Sequence, residues 1–197
     1  MKRKRFEIDD SQNPIFVTTT IVEWIPVFAE PAIAERTLGL LENSRREIGI
    51  SVIAFVLMHN HFHGMMQTNQ KGDLSRFMLR WKSRSARSIM DYSRMHKRKW
   101  LELFKRSLGE SGRLGRQVHR VWLPRFDTLP VENETQFYAG LNYIHFNPVR
   151  QLLVRGPEDY PYSSFHDYRG GTNGFVKVSR HRWHSRRGLS NSTNQTL

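Results

Sequence analysis

Three histidines fall within five residues in the stretch VLMHNHFHGMM, Val56 to Met66, between two apolar runs. Side chains on a strand alternate faces. His61 and His63 therefore share a face, with Phe62 turned the other way. Two imidazoles so spaced can reach one divalent cation. His59 joins them only if the strand continues through Asn60, where a turn is expected. The bland alternative is an exposed strand face that tolerates histidine. Two histidines are also too few for a structural zinc site, so a third ligand must come from elsewhere.

The stretch LNYIHFNPVR, Leu141 to Arg150, supplies candidates. Tyr143 and Asn147 are four residues apart, about 40° around a helix. An asparagine oxygen is a hard ligand suited to Mg2+ or Mn2+. A tyrosine one turn away could bring its phenol beside the same ion. Tyr138 falls on the opposite side of that helix. The alternative reading is a half-buried aromatic and a helix C-cap.

These residues need elements to hold them. Ile15 to Val22 is β-branched and reads as a strand. Pro31 to Glu47 has helical spacing of apolar residues. Ile50 to Leu57 reads as a buried strand, and His61 to Gln67 as its hairpin partner, with Met58 to Asn60 near the turn. Asp73 to about Tyr92 is the clearest helix. Leu74, Phe77, Met78, Trp81 and Ile89 mark one face, and Arg76, Arg80, Arg84 and Arg87 another. Residues 93–120 are basic and read as a loop or helical excursion. A short strand is expected after Pro124. Asn133 with Gln136 forms a capping-box-like pair for a helix to about Phe146, because Asn147 precedes Pro148. The sum is an α+β fold: an antiparallel-rich sheet with helices packed on it, expected on one face.

The chain has 197 residues and no cysteine, which excludes disulfides and thiolate metal sites. One domain is expected over residues 1–168, with a basic, partly flexible tail over 169–197. The N-terminal MKRKRFEIDD lacks the apolar segment of a signal peptide. The longest apolar run, Val52 to Met58, is too short to cross a bilayer. A soluble cytoplasmic, nucleoid-associated protein without membrane contact is expected. Net charge is +13, unevenly placed. Residues 71–125 hold 16 basic and 4 acidic side chains, whereas 6–70 and 126–168 are net acidic. A basic middle and tail point to a polyanion. Its contacts are expected from Arg76, Arg80, Arg84 and Arg87, from Lys97, Arg98, Lys99 and Trp100, and from Arg180, Arg182, Arg186 and Arg187 in the tail. Trp81, Trp100 and Trp122 are possible base-stacking residues. Trp81 lies on the apolar face and reads as core; Trp100, among cations, is the better of the three.

Four segments together resemble the REP-associated tyrosine transposases, relatives of the single-stranded-DNA HUH transposases: VLMHNHFHGMM, LSRFMLRWKSRSARSI, VWLPRFDTL and YIHFNPVRQLLVRGPEDYPYSSF. The resemblance covers about residues 14–168, and the last segment is its most specific part. It implies a ferredoxin-like, HUH-endonuclease type of fold. It places the HUH pair on His61 and His63, the nucleophile on Tyr143 and the remaining metal ligand on Asn147. The implied reaction is metal-dependent cleavage and transfer of hairpin-associated single-stranded DNA through a 5′-phosphotyrosine, with Mg2+ or Mn2+ as cofactor. His59 stands where such proteins commonly have proline, and residues 93–120 look longer than usual. His59 or His145 could move protons or be structural. Two other readings use the same residues. One is a catalytically inactive nucleic-acid hairpin-binding protein derived from a transposase; the other is a nuclease in which water attacks. The DNA sequence read and the choice of monomer or dimer are not encoded in these motifs.

Overall fold

The computed structural model describes residues 13–107 and 119–180. Strand β1 (Ile15–Thr20) leads through two single turns into helix α1 (Pro31–Ile48). Strands β2 (Ser51–Leu57) and β3 (His61–Gln67) form a hairpin, followed by α2 (Asp73–His96) and α3 (Arg98–Arg106). Strand β4 (Asp127–Pro130), α4 (Glu134–Arg150) and the short α5 (Phe165–Tyr168) complete the described chain. The sheet order is β2-β3-β1-β4, antiparallel throughout. The fold is the α+β, antiparallel-sheet architecture expected.

β3 shows how period-two alternation divides the molecule. Phe62 and Met66 point to one face and join the core made with α1 and α2. There Phe62 packs edge-on against Trp81 of α2, ring centroids 4.7 Å apart. The Trp81 indole N–H donates to the Thr37 carbonyl of α1 at 3.0 Å. Gly64 makes this arrangement possible, since a Cβ there would lie 2.7 Å from the Phe62 ring. Met65 points the other way, into a second cluster with Ala54, Val56, Phe137 and Ile144.

Phe137 and Ile144 belong to α4, so helices cover both faces rather than the one expected. The cause is visible in β2. Val52 to Leu57 are all buried, and a strand apolar on both sides needs cover on both sides. Segments after α4 also close the β2 edge. Val178 lies parallel beside Val52, with the Ser179 N–H donating to the Val52 carbonyl at 2.8 Å.

α4 starts as expected and ends later. The Asn133 side chain accepts from the Gln136 N–H at 2.9 Å, while the Gln136 side chain accepts from the Glu132 N–H. The helix does not stop at Phe146; it runs to Arg150 with Pro148 inside it. Proline removes its own N–H, so the Ile144 carbonyl loses one helical donor, while the turns on either side are kept. Backbone bonds from Gln151 to Asn147 and from Leu153 to Pro148 close the last turn. Asn147 thereby stays helical, on the same face as Tyr143. No described helix is long and apolar enough to cross a membrane.

Candidate active site

His61 and His63 project from β3 toward the α4 side, with ring centroids 4.8 Å apart. The hydrogen-bond network orients both rings and sets the tautomer of His61. The Asn60 amide donates through Nδ2 to the Trp24 carbonyl at 3.1 Å. Its Oδ1 is thereby turned to His61 Nδ1, 2.7 Å away. An amide oxygen only accepts, so Nδ1 carries the proton and Nε2 keeps its lone pair. His63 Nδ1 lies 2.8 Å from the hydroxyl of Thr18, its direct cross-strand partner on β1. A hydroxyl can donate or accept, so this bond orients the His63 ring without fixing its tautomer. Burial holds both imidazoles neutral: His61 is lowered, and His63 is pushed down to about 3 by burial and by its neighbour His61. Oriented neutral imidazoles of this kind are what metal ligation requires.

α4 brings Tyr143 against this pair and carries Asn147 one turn on. The Tyr143 ring lies edge-on to His63, centroids 5.2 Å apart, and Phe16 of β1 wedges against both. Tyr143 is 40% exposed, open to an incoming strand. Asn147, one turn on, is 3% exposed, and its Oδ1 has no hydrogen-bond partner among the described residues. A buried amide oxygen left unpaired costs about 1–3 kcal/mol, unless something absent from the protein itself satisfies it. In donor type, two neutral imidazoles and this amide oxygen would suit a divalent cation of the Mg2+ or Mn2+ type. The Arg150 guanidinium lies 5.2 Å from the Tyr143 ring centroid.

His145 is occupied elsewhere. Its Nε2 bonds the Ser164 hydroxyl at 2.9 Å, and that hydroxyl also accepts from the Phe55 N–H and donates to the Phe55 carbonyl. Burial pushes His145 down to about 4. It links α4 through Ser164 to β2, which suits the structural one of its two expected roles. His59 lies half-buried in the β2–β3 turn.

The basic face of α2 is less free than its sequence implied. Arg80 and Arg84 both pair with Glu47 of α1, Arg84 at 2.8 Å, and Arg76 pairs with Asp73 at 3.0 Å. Lys97 is held by Glu30 at 2.7 Å and lies over the half-buried Trp100 ring. Arg87, Arg98 and Lys99 are exposed and form no ion pair with a described residue. Arg180 is exposed; Arg182, Arg186 and Arg187 lie outside the described residues. Trp81 is core, as expected. Trp122 is not available for stacking: it is 5% exposed and donates to the Ser85 hydroxyl at 3.0 Å.

Sequence reasoning missed Thr18, Asn60, Trp24 and Arg150. Asn60 and Arg150 carried some signal, one adjoining a histidine and the other seven residues from Tyr143, on the same helical face. Thr18 and Trp24 had none, because their roles depend on strand pairing and on a turn.

Comparison with known proteins bears on family likeness and fold. Residues 18–109 match the family model described as "Transposase IS200 like". A REP-associated tyrosine transposase of Escherichia coli (strain K12) is 29% identical over 68 residues, 34% of this chain and 38% of that relative. The match thus spans well under half of the curated relative's length. The solved structure of a REP-associated tyrosine transposase bound to a REP hairpin superposes with a TM-score of 0.57 at 16% identity, covering 99% of both chains. That likeness is one of fold. The chain resembles the REP-associated tyrosine transposase family in sequence motifs and in architecture.

Proposed function

We propose that this relative of the REP-associated tyrosine transposases cleaves and rejoins single-stranded or hairpin-flanking DNA by transesterification, with Tyr143 as nucleophile. The phenol oxygen of Tyr143 attacks a phosphodiester phosphorus and loses its proton. The bond to the 3′-oxygen breaks, and that oxygen takes up a proton as a free 3′-hydroxyl. The 5′-phosphate remains on tyrosine, so the energy of the broken bond is retained and a second strand's hydroxyl can reverse the step. A Mg2+ or Mn2+ ion held by His61, His63 and Asn147 would polarise the phosphoryl oxygen and offset transition-state charge.

The chain's own residues do the rest. Thr18 and Asn60 orient the two imidazoles. Phe16 and His63 brace the Tyr143 ring, and Arg150 above it offers a fork of donors to phosphate oxygens. Of the cations named from sequence, Arg87, Arg98 and Lys99 are exposed and free of ion pairs with described residues, and are assigned to phosphate contacts weakened by salt.

One observation carries the reading: the exposed Tyr143 ring packs on His63 one helical turn from a buried, unpartnered Asn147 oxygen. The test is incubation with labelled hairpin DNA bearing single-stranded flanks, with Mn2+ or with chelator. A covalent adduct that survives SDS is expected only with metal. Tyr143→Phe abolishes it while binding persists. An adduct retained in that variant reassigns the nucleophile. Free 5′-phosphate without adduct selects attack by water, and chelator-indifferent binding without cleavage selects a binding protein.

A further inference from the structure

Trp24 is the unusual tryptophan of this molecule. Trp81 and Trp122 are buried and hydrogen-bonded through their indole N–H groups. Trp24 is 63% exposed. It sits in a single turn after β1 where both Glu23 and Trp24 adopt φ near +53°. Consecutive non-glycine residues in the left-handed region are strained, the more so when one is bulky. The turn is held open by identifiable bonds. The Trp24 N–H donates to the Ile21 carbonyl at 3.2 Å, the Ile25 N–H donates to the Val22 carbonyl, and the Trp24 carbonyl accepts from Asn60. The outcome is an indole standing in solvent, edge-on to His61 with ring centroids 6.1 Å apart. Its position is not independent of the imidazole pair. The one Asn60 amide grips the Trp24 carbonyl and His61 Nδ1 together.

We infer that Trp24 is a stacking platform for an unpaired nucleobase of the DNA strand next to the bond being cleaved. A flat aromatic face in water, fixed beside residues that would hold the scissile phosphate, suits a base. Stacking accepts any base, because each has a π-face. The three residues Trp24, Asn60 and His61 then couple base placement to phosphate placement. This rests on the transesterase reading for which base is held, but not for stacking itself.

The experiment uses full-length protein carrying Tyr143→Phe, so that no chemistry intervenes. Two synthetic DNA hairpins are compared, one blunt and one with an unpaired extension carrying 2-aminopurine at successive positions. Quenching of 2-aminopurine is expected at one position. Trp24→Ala should weaken binding of the extended hairpin about 5- to 150-fold, remove that quenching and leave blunt-hairpin affinity unchanged. Trp24→Phe should keep most of both signals. Equal losses on the two hairpins, no loss on either, or no quenching by the parent protein overturns the inference. Adduct formation by the protein with Tyr143 intact, assayed separately, reports on the transesterase reading. Trp24-dependent quenching without any adduct would leave the platform standing and sink the chemistry.

Discussion

The two faces of β3 are built on opposite terms. On the Phe62 side, large apolar rings pack against α1 and α2, and the two indole N–H groups within find acceptors. On the His63 side, a partly exposed phenol packs on one of two neutral imidazoles, and α4 carries, one turn on, an amide oxygen without a partner among the described residues. The first face also buries hydroxyls without a partner among the described residues, those of Thr19, Thr37 and Ser44, but these lie in an apolar core closed by α1 and α2. The second leaves donor atoms unsatisfied, and these are the atoms able to engage something from outside. One strand thus supports both stability and chemistry, because successive side chains cannot share a side.

The division can be broken most severely at Trp81. Trp81→Ala removes a fully buried ring and its hydrogen bond, so a loss of about 3–5 kcal/mol is expected in urea unfolding followed by circular dichroism. A loss below about 1 kcal/mol would mean that this face does not carry the fold. Asn147→Ala should behave in the opposite way. Its oxygen has no protein partner to lose, so metal-free stability should change by at most about 1 kcal/mol. Calorimetric titration with Mn2+ should then show affinity reduced at least about tenfold. Unchanged Mn2+ affinity would remove Asn147 from the donor set.

Thr18→Val sharpens the contrast further. The exchange keeps shape but deletes the hydroxyl that orients His63. Mn2+ affinity and adduct yield should fall about tenfold, with the far-ultraviolet spectrum intact; full activity would show that His63 is oriented some other way. The smallest effect concerns Lys82, whose ammonium donates to the carbonyls of Leu123 and Arg125. Burial lowers its pKa to about 8 from an ordinary 10.5. Between those values the unfolded chain binds the extra proton, so stability rises with pH above about 8. In thermal melts across that range the parent protein should gain stability with rising pH relative to Lys82→Met; parallel curves would contradict it.

Much of this was legible locally. The hairpin from Ser51 to Gln67, the shared face of His61 and His63, and the Asn133 cap all follow from short-range periodicity and turn chemistry. The end of α4 was not, because Pro148 near a C-terminus sacrifices one donor rather than a whole turn. Nor were the partners of Arg80 and Arg84: a charge run fixes sign, but Glu47 on another helix decides how much of it faces solvent. Trp122 could not be told from a stacking residue until its burial against Ser85 was known.

Residue order alone determined that two imidazoles share a face and that Tyr143 and Asn147 lie one helical turn apart, since those relations are set by the repeat of a strand and of a helix. Tertiary structure alone decided that α4 covers the histidine face, that the Thr18 hydroxyl meets His63 Nδ1, and that an indole stands beside His61. Those relations join residues tens of positions apart, and no backbone period carries information across such a distance.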